Sequence, residues 1–260
     1  MEKITSAQNP LVKKLVQLSK KASLRKKTGQ TILDGVHLCE DYLAKVGIPE
    51  ACVVASGAES SEVAKIVEQC LAKNVRIIEL PKSLFEKISP LVEGIGVLFA
   101  VKVPHENEFN SKANSLILEN IQDPGNLGAI LRSAVAFGIE QIICSSGTVS
   151  AWSPKVLRAG MGAHFAVKIF ENQDLAEVIG KLEIPVLATS LEAKKSIYEE
   201  DLRGTQAWIF GNEGKGVSAE IQKMATKKVI IPQSSKVESL NVAMAATVCL
   251  SESWRQNLKK

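Results

Sequence analysis

Short apolar runs alternate with amphipathic segments along most of the chain. A run of about four to eight apolar residues is typical of a buried strand, and apolar residues three or four positions apart are typical of a helix packed against it. Up to residue 104, this pattern predicts a short strand within 30–37 that is closed by a turn at Asp34-Gly35, followed by a helix that continues through Leu43. It then predicts strands at 51–55, 75–80 and 96–101 and helices at 61–73 and 82–88. The alternation predicts a small α/β domain.

The same alternation is stronger in the second half of the chain. It predicts strands at 116–119, 141–144, 167–169, 186–189, 207–210 and 228–231 and helices at 127–137, 155–160, 175–182, 218–224 and 241–254. This order of elements favours a parallel sheet. The segment 104–114 is polar and has no apolar periodicity, as expected of a linker. We therefore expect a first domain at 1–104, a linker at 105–114 and a second domain at 115–260.

Length and composition limit the class of protein. The 260 residues are 45% hydrophobic, which is enough for two modest cores. Five cysteines lie far apart without a CxxC pair, so neither a disulfide framework nor a metal site is indicated. The sequence shows no signal-peptide pattern and no apolar run of about 18 residues. These features predict a soluble cytoplasmic protein with no metal ion and no membrane partner.

Positive charge is concentrated at the start of the chain, although the net charge is only +4. Leu11, Leu15 and Leu18 recur at helical spacing, so the segment predicts a basic amphipathic helix. Such a helix either packs its leucines on the domain and solvates its charges or binds the phosphates of a nucleic acid. Its candidate RNA-binding residues are Lys13, Lys14, Lys20, Lys21, Arg25, Lys26 and Lys27.

Three loops combine glycine, asparagine and small polar residues at the carboxyl ends of predicted strands, where open α/β sheets place their ligand sites. In the first loop, Asp123-Pro-Gly125 predicts a turn and Asn126 is a candidate helix cap. Arg132 follows in the first two turns of an otherwise apolar helix, where a buried guanidinium would need a partner. A plain strand-turn-helix connection is the alternative interpretation.

The second and third loops lie at 208–218 and 230–246. The second contains three glycines but no Gly-Lys-Ser/Thr triplet, so it is not a phosphate loop. Its exposed amides could bind a polar ligand, and a flexible turn is the alternative. In the third, Ser239 is a candidate N-cap that places Asn241 at the exposed amino end of a small-residue helix.

Together the three loops closely resemble the motifs of the SpoU (TrmH-like) branch of the SPOUT methyltransferases. The resemblance is carried, in the family's order, by Asn120, Asp123-Pro-Gly-Asn-Leu-Gly128 with Arg132, Gly211-Asn-Glu-Gly214, Ile231-Pro232 and Glu238-Ser-Leu-Asn-Val242. The stretches Ile4-Thr-Ser-Ala-Gln-Asn-Pro10 and Ile32-Leu-Asp-Gly35 are similar to the L30e/L7Ae-like RNA-binding domain that many members carry.

This resemblance implies a parallel-sheet domain with a deep trefoil knot and an S-adenosylmethionine-dependent transfer of methyl groups to a ribose 2'-hydroxyl of structured RNA. It further implies a homodimer in which Arg132 of one protomer completes the site of the other, as a base or as a phosphate clamp. The implied catalytic residues are Asn120, Arg132, Glu213, Ser239 and Asn241. The implied cofactor-binding residues are Thr189, Gly211, Asn212, Gly214, Ile231, Leu240 and Asn241.

Two alternative functions remain open. One is methylation of a base nitrogen. The other is a non-catalytic RNA-binding protein with the same fold, against which the intact set of Asn120, Arg132, Glu213 and Asn241 argues. Ribosomal RNA is favoured over transfer RNA as the substrate, but the sequence does not identify the nucleotide.

Overall fold

The computed structural model describes residues 1–58, 60–89, 96–105 and 108–258. It divides the chain into two compact units. The first unit contains Met1–His105 and Trp152–Phe165, and the second contains Glu106–Ala151 and Ala166–Lys260. Residues 106 and 107 of the predicted linker lie outside the described residues. No helix in the described ranges combines the length and the apolar character needed to cross a membrane.

The described part of residues 1–105 forms a mixed sheet with five helices. The sheet order is β1-β4-β3-β5-β2, with β1, β4 and β3 parallel and β5 antiparallel to both of its neighbours. The elements are β1 (Glu2–Lys3), α1 (Pro10–Lys20), α2 (Ala22–Thr28), β2 (Gln30–Asp34), α3 (Val36–Lys45), β3 (Ala51–Ala55), α4 (Ser61–Ala72), β4 (Ile77–Leu80), α5 (Lys82–Ile88) and β5 (Val97–Lys102).

The predicted basic helix is two helices. Asn9 caps α1 by accepting a hydrogen bond from the Leu11 amide at 2.9 Å, and Pro10 occupies the first helical position. The helix ends at Lys21, whose extended backbone (φ −110°, ψ 110°) separates α1 from α2. Prediction of a single helix was therefore wrong, because the apolar spacing that places Leu15 and Leu18 in the core does not continue past this residue.

The second half of the chain forms a six-stranded sheet in the order β11-β9-β10-β6-β7-β8, in which every pair of neighbours is parallel. The elements are β6 (Ser115–Leu118), α6 (Pro124–Ala136), β7 (Gln141–Ser145), α7 (Pro154–Gly160), β8 (Lys168–Gln173), α8 (Leu175–Lys181), β9 (Val186–Thr189), β10 (Ala207–Phe210), α9 (Ala219–Met224), β11 (Lys227–Val229) and α10 (Val242–Asn257). The α/β class and the parallel sheet agree with the prediction.

Segment Trp152–Phe165, which includes α7, belongs to the first unit although its neighbours in sequence belong to the second. The Thr31 hydroxyl donates to the Trp152 carbonyl at 2.7 Å, and the Arg158 guanidinium lies 3.8 Å from the Asp34 carboxylate. Burial raises the pKa of Asp34, while the hydrogen bond from Ser89 and the charge of Arg158 partly oppose that rise. A polar cluster therefore joins α7 to β2.

The predicted linker is partly packed. Phe109 contacts the apolar core beneath the second sheet, with its ring centre 6.5 Å from that of Phe170. The Asn110 amide donates to the Gln141 side chain at 2.9 Å. Packing in the second unit therefore begins several residues before β6.

Candidate active site

The carboxyl ends of four neighbouring strands, β6, β10, β9 and β11, meet at one edge of the second sheet, because all four run parallel. A cleft of about 540 Å³ opens there. Six of the seven predicted cofactor-binding residues line it, and only Asn241 does not: Thr189, Gly211, Asn212, Gly214, Ile231 and Leu240. Sequence motifs that are distant along the chain thus border one cavity.

The loop after β10 is held closed by Asn212. Its side-chain oxygen accepts hydrogen bonds from the amides of Gly214 at 3.0 Å and Lys215 at 3.1 Å, and its carbonyl accepts one from the Gly216 amide at 2.8 Å. A Cβ atom at Gly211 would lie 2.2 Å from the backbone of Gly216. The loop itself therefore requires glycine at position 211, whether or not a ligand is bound.

Glu213 connects this loop to the loop after β6. Its carboxylate accepts hydrogen bonds from the backbone amides of Gln122 and Asp123, at 3.3 and 3.1 Å, and from the Asn126 side chain at 3.1 Å. Burial acts to raise the pKa of Glu213, but hydrogen bonds, the largest from Asn126, outweigh burial and lower it. Glu213 is therefore an ionised anchor between two loops.

Asn126 joins all three motifs. It donates through Nδ2 to Glu213 and accepts through Oδ1 a hydrogen bond from Asn241 Nδ2 at 2.9 Å. The expectation that Asn126 caps α6 is wrong, because Asp123 accepts from the Asn126 amide at 2.8 Å and begins the helix three residues earlier than predicted. The pairing of Asp before Pro at a helix start is a known capping signal that could have freed Asn126 for this role.

Asn241 begins the last helix. Its side-chain oxygen accepts hydrogen bonds from the amides of Ala243 at 2.9 Å and Met244 at 3.3 Å, so it is the N-cap of α10. The predicted cap, Ser239, is wrong and lies two residues earlier, on the lining of the cleft. One side chain at position 241 thus fixes the helix and, through Asn126, the first loop.

Asn120 adopts a left-handed backbone conformation with φ of 56° directly after β6. Its amide donates to the Ser145 hydroxyl at 2.9 Å, and its carbonyl accepts from Asn212 Nδ2 at 2.9 Å. A Cβ at Gly147 would lie 1.8 Å from the Asn120 side-chain oxygen. Ser145 therefore holds Asn120, and Gly147 leaves room for the Asn120 side chain. The sequence analysis missed both residues, and only their position at the carboxyl end of β7 in the parallel sheet could have indicated them.

Arg132 is exposed in the third turn of α6, so the expectation of a buried guanidinium in the first two turns is wrong. The buried face of this helix is formed by Leu127, Gly128, Ile130, Leu131 and Ala134. Among residues 1–58, 60–89, 96–105 and 108–258, none forms a hydrogen bond or ion pair with the Arg132 side chain. Its planar donor group is available to a partner from outside this chain.

The predicted RNA-binding residues divide into two kinds. Six lysines of α1, α2 and the break between them are exposed: Lys13, Lys14, Lys20, Lys21, Lys26 and Lys27. Arg25 instead is buried and donates to the Leu18 carbonyl at 2.9 Å. It holds α2 against α1, and we remove it from the candidate RNA surface.

The difference in unfolding free energy between wild type and Glu213→Gln is expected to be larger at pH 7 than under acid conditions. A carboxylate with a lowered pKa stabilises the fold above its unfolded pKa, and this contribution is lost as the pH falls from about 5 through the folded pKa. Urea unfolding at a series of pH values measures the difference. Glu220→Gln is the control for loss of one exposed carboxylate from the same unit. A Glu213→Gln difference that is constant with pH would contradict the anchoring role.

Two family models match this chain. Residues 113–251, more than half of the chain, match the model of the SpoU rRNA Methylase family. Residues 9–98 match the model of an MRM3-like substrate binding domain. The first half therefore carries a substrate-binding domain and the second a methylase domain.

Similar proteins match over nearly the full length. A Synechocystis protein named as an uncharacterized tRNA/rRNA methyltransferase is 36% identical, with 97% of this chain and 93% of that protein covered. The 23S rRNA (guanosine(2553)-2'-O)-methyltransferase RlmP of Bacillus subtilis is 28% identical, with 95% and 97% covered. The AdoMet-bound rRNA methyltransferase from Sinorhizobium meliloti superposes with a TM-score of 0.87 at 25% identity, with 99% of both chains covered. This chain belongs to the SpoU rRNA methylase family.

Proposed function

We propose that the protein transfers the methyl group of S-adenosylmethionine to a ribose 2'-hydroxyl of ribosomal RNA. The observation that carries this proposal is the hydrogen-bonded series Asn241, Asn126 and Glu213, which joins the three motif loops beside the cleft. Relatives named as rRNA 2'-O-methyltransferases support the choice of ribose and of ribosomal RNA.

The residues of the cleft fit S-adenosylmethionine. Its volume is in the range of about 300–1,000 Å³ that is usual for small-molecule sites. Ile230, Ile231, Leu240 and Val242 provide apolar walls for an adenine ring, and the loop at 211–216 provides polar groups for ribose. When bound, the cofactor supplies an electrophilic methyl group. The proposed reaction needs no metal ion.

The polar residues of the motifs have different proposed roles. Methyl transfer is an in-line displacement, so the site must hold the ribose oxygen on the line through the methyl carbon and the sulfur of the donor. Glu213, Asn126 and Asn241 are positioning residues, because their side-chain groups are used to hold the three loops together. Ser239 lines the cleft and could contact the ribose or the cofactor directly. Asn120 connects the end of β6 to the loop after β10, because its carbonyl accepts a hydrogen bond from Asn212.

Arg132 is proposed to bind a phosphate of the target RNA from across a homodimer interface. A guanidinium keeps its proton at neutral pH, so a phosphate clamp suits it better than the role of base. Exposure on α6 supports a partner outside the chain. The helix α6 packs against α10, where the Ser133 and Thr247 hydroxyls lie 2.7 Å apart, and this contact fixes the helix that carries Arg132.

The trefoil knot that the resemblance implies stays a prediction, because strand pairing alone does not define the path of the loops.

The exposed lysines of α1 and α2 are proposed to bind the RNA backbone. The match to a substrate-binding domain covers these helices from residue 9 onward.

We place the protein in the cytoplasm, since all five cysteines are free thiols, as expected in a reducing compartment. The domain division proposed is 1–104 for RNA binding, 105–114 as connection and 115–260 for methyl transfer.

Replacing Lys13 and Lys14 with glutamine is expected to weaken RNA binding and to reduce its salt dependence. Each lysine that neutralises a phosphate contributes about 0.7–0.9 to the slope of log K against log salt, so the slope should fall by about 1.4–1.8. Filter binding at several salt concentrations measures both quantities. Lys65→Gln, an exposed lysine on α4, is the control. An unchanged slope would show that the two lysines are only a solvated surface.

Nucleoside analysis of methylated RNA tests the reaction itself. Purified protein is incubated with S-adenosylmethionine and ribosomal RNA from a strain that lacks the gene, and the RNA is digested to nucleosides for mass spectrometry. We expect one 2'-O-methyl nucleoside to appear. A methyl group on the base would favour the base-nitrogen alternative, and cofactor binding without any methylation would favour the non-catalytic alternative.

A further inference from the structure

The cleft at the carboxyl edge of the second sheet is lined by several charged side chains. Three are carboxylates, those of Glu192, Glu213 and Glu238. Among the described residues, Lys215 is the only cation on its lining. A ligand with a negatively charged group therefore has one electrostatic partner in this part of the site.

Lys215 is placed for that contact by its backbone. The Lys215 amide donates to the Asn212 side chain at 3.1 Å, in the turn closed by the bond between the Gly216 amide and the Asn212 carbonyl. Its side chain is exposed. Within the part of the chain that the structure describes, its ammonium group forms no ion pair or hydrogen bond. The turn thus fixes the backbone of Lys215, and its ammonium group is available to a ligand.

We propose that Lys215 binds the carboxylate of the methyl donor's amino-acid end, an inference that rests on the proposed function. S-adenosylmethionine carries a sulfonium, an ammonium and a carboxylate. Glu192 and Glu238 suit the two positive groups, but both repel the carboxylate. Glu213 is already occupied by Gln122, Asp123 and Asn126. Lys215 compensates the remaining negative charge.

This contact has a consequence for affinity that the adenosine part of the ligand does not share. A lysine on a flexible stem acts as a point charge, so replacing it affects charged ligands and spares neutral ones. Methylthioadenosine keeps the adenosine and the methyl-bearing sulfur of the donor, but its sulfur is a neutral thioether and it lacks the amino-acid end with its carboxylate. Lys215→Met should therefore weaken S-adenosylmethionine binding about tenfold and leave methylthioadenosine binding unchanged.

Isothermal titration calorimetry of the full-length protein with both ligands tests the proposal. Lys223→Met, an exposed lysine on α9 that does not line the cleft, is the matched control, and Lys215→Arg should retain most of the affinity. Equal weakening of both ligands by Lys215→Met would mean that Lys215 shapes the loop, and would overturn the proposal. Unchanged donor affinity with weaker RNA binding would also overturn it, by assigning Lys215 to an RNA phosphate. If the wild type bound neither ligand, the proposed donor site itself would be wrong.

Discussion

Replacing Arg132 with lysine is expected to lower kcat/KM for RNA about 100-fold and to leave the dissociation constant of S-adenosylmethionine unchanged. Lysine keeps the positive charge but loses the planar, two-pronged donor geometry with which arginine binds a phosphate. A loss of about 2.7 kcal/mol in the transition state corresponds to this change in rate. Steady-state kinetics and calorimetry measure the two quantities. Arg203→Lys, an exposed arginine of the same unit, is the control.

The location of Arg132 across a dimer can be separated from its chemistry. Arg132→Ala and Gly211→Ala, each expected to be inactive alone, are tagged differently and mixed, and exchange of subunits is verified. In a mixed dimer, one of the two sites combines an intact cleft with an intact arginine, so partial activity should return. If no activity returns despite exchange, the arginine acts within its own chain or the protein is not this kind of dimer.

Gly211→Ala is expected to abolish measurable binding of S-adenosylmethionine. The added Cβ would lie 2.2 Å from the carbonyl of Gly216 and from the amide nitrogen of Val217, and backbone atoms cannot yield as the end of a side chain can. The loop must therefore open, which breaks the hydrogen bonds that the Asn212 side chain accepts from the amides of Gly214 and Lys215. Calorimetry measures binding, and circular dichroism verifies that the fold is retained.

The matched control is Gly180→Ala in α8, where an added Cβ meets no atom within 4 Å. This variant should bind the donor like the wild type, and alanine in place of helical glycine should slightly raise the unfolding free energy. If Gly211→Ala bound the donor with normal affinity, the donor site would have to lie outside the cleft.

The sequence predicted the sheets well because strands and helices of both halves follow simple apolar patterns. The strands 51–55, 186–189 and 207–210 and the helix 82–88 have the predicted bounds. Apolar periodicity depends only on neighbouring residues, and the apolar residues of these runs are buried as it predicts. The sequence also identifies the three motif loops, because glycine, asparagine and proline are concentrated in them.

The wrong predictions concern which of two nearby polar residues performs a task. Asp123 caps α6 in place of Asn126, and Asn241 caps α10 in place of Ser239. Local preference allows each of these residues as a cap. The choice is made by the hydrogen bond between Asn126 and Asn241, whose positions are 115 residues apart in the sequence. No local pattern contains that information.

Exposure of Arg132 was missed for a similar reason. Apolar neighbours on α6 suggested burial, but the buried face is one stripe of the helix, and residue 132 lies outside it. The prediction that Arg25 lies on the RNA surface was wrong for the opposite reason, because this residue is buried. A basic run suggested exposure, whereas the turn between α1 and α2 directs this one side chain back to the Leu18 carbonyl.

Because Trp152–Phe165 belongs to the first unit, neither structural unit of this protein is one continuous stretch of sequence. The chain enters the second unit after residue 105, returns to the first at 152 and leaves it again after 165. Recombination at the 104–114 segment would therefore combine the α7 region of one parent with β2 and α3 of another. Thr31, Asp34 and Tyr42 would then meet an unrelated Trp152, Arg158 and Phe165. Domain exchange in this architecture preserves packing only when both stretches are inherited together.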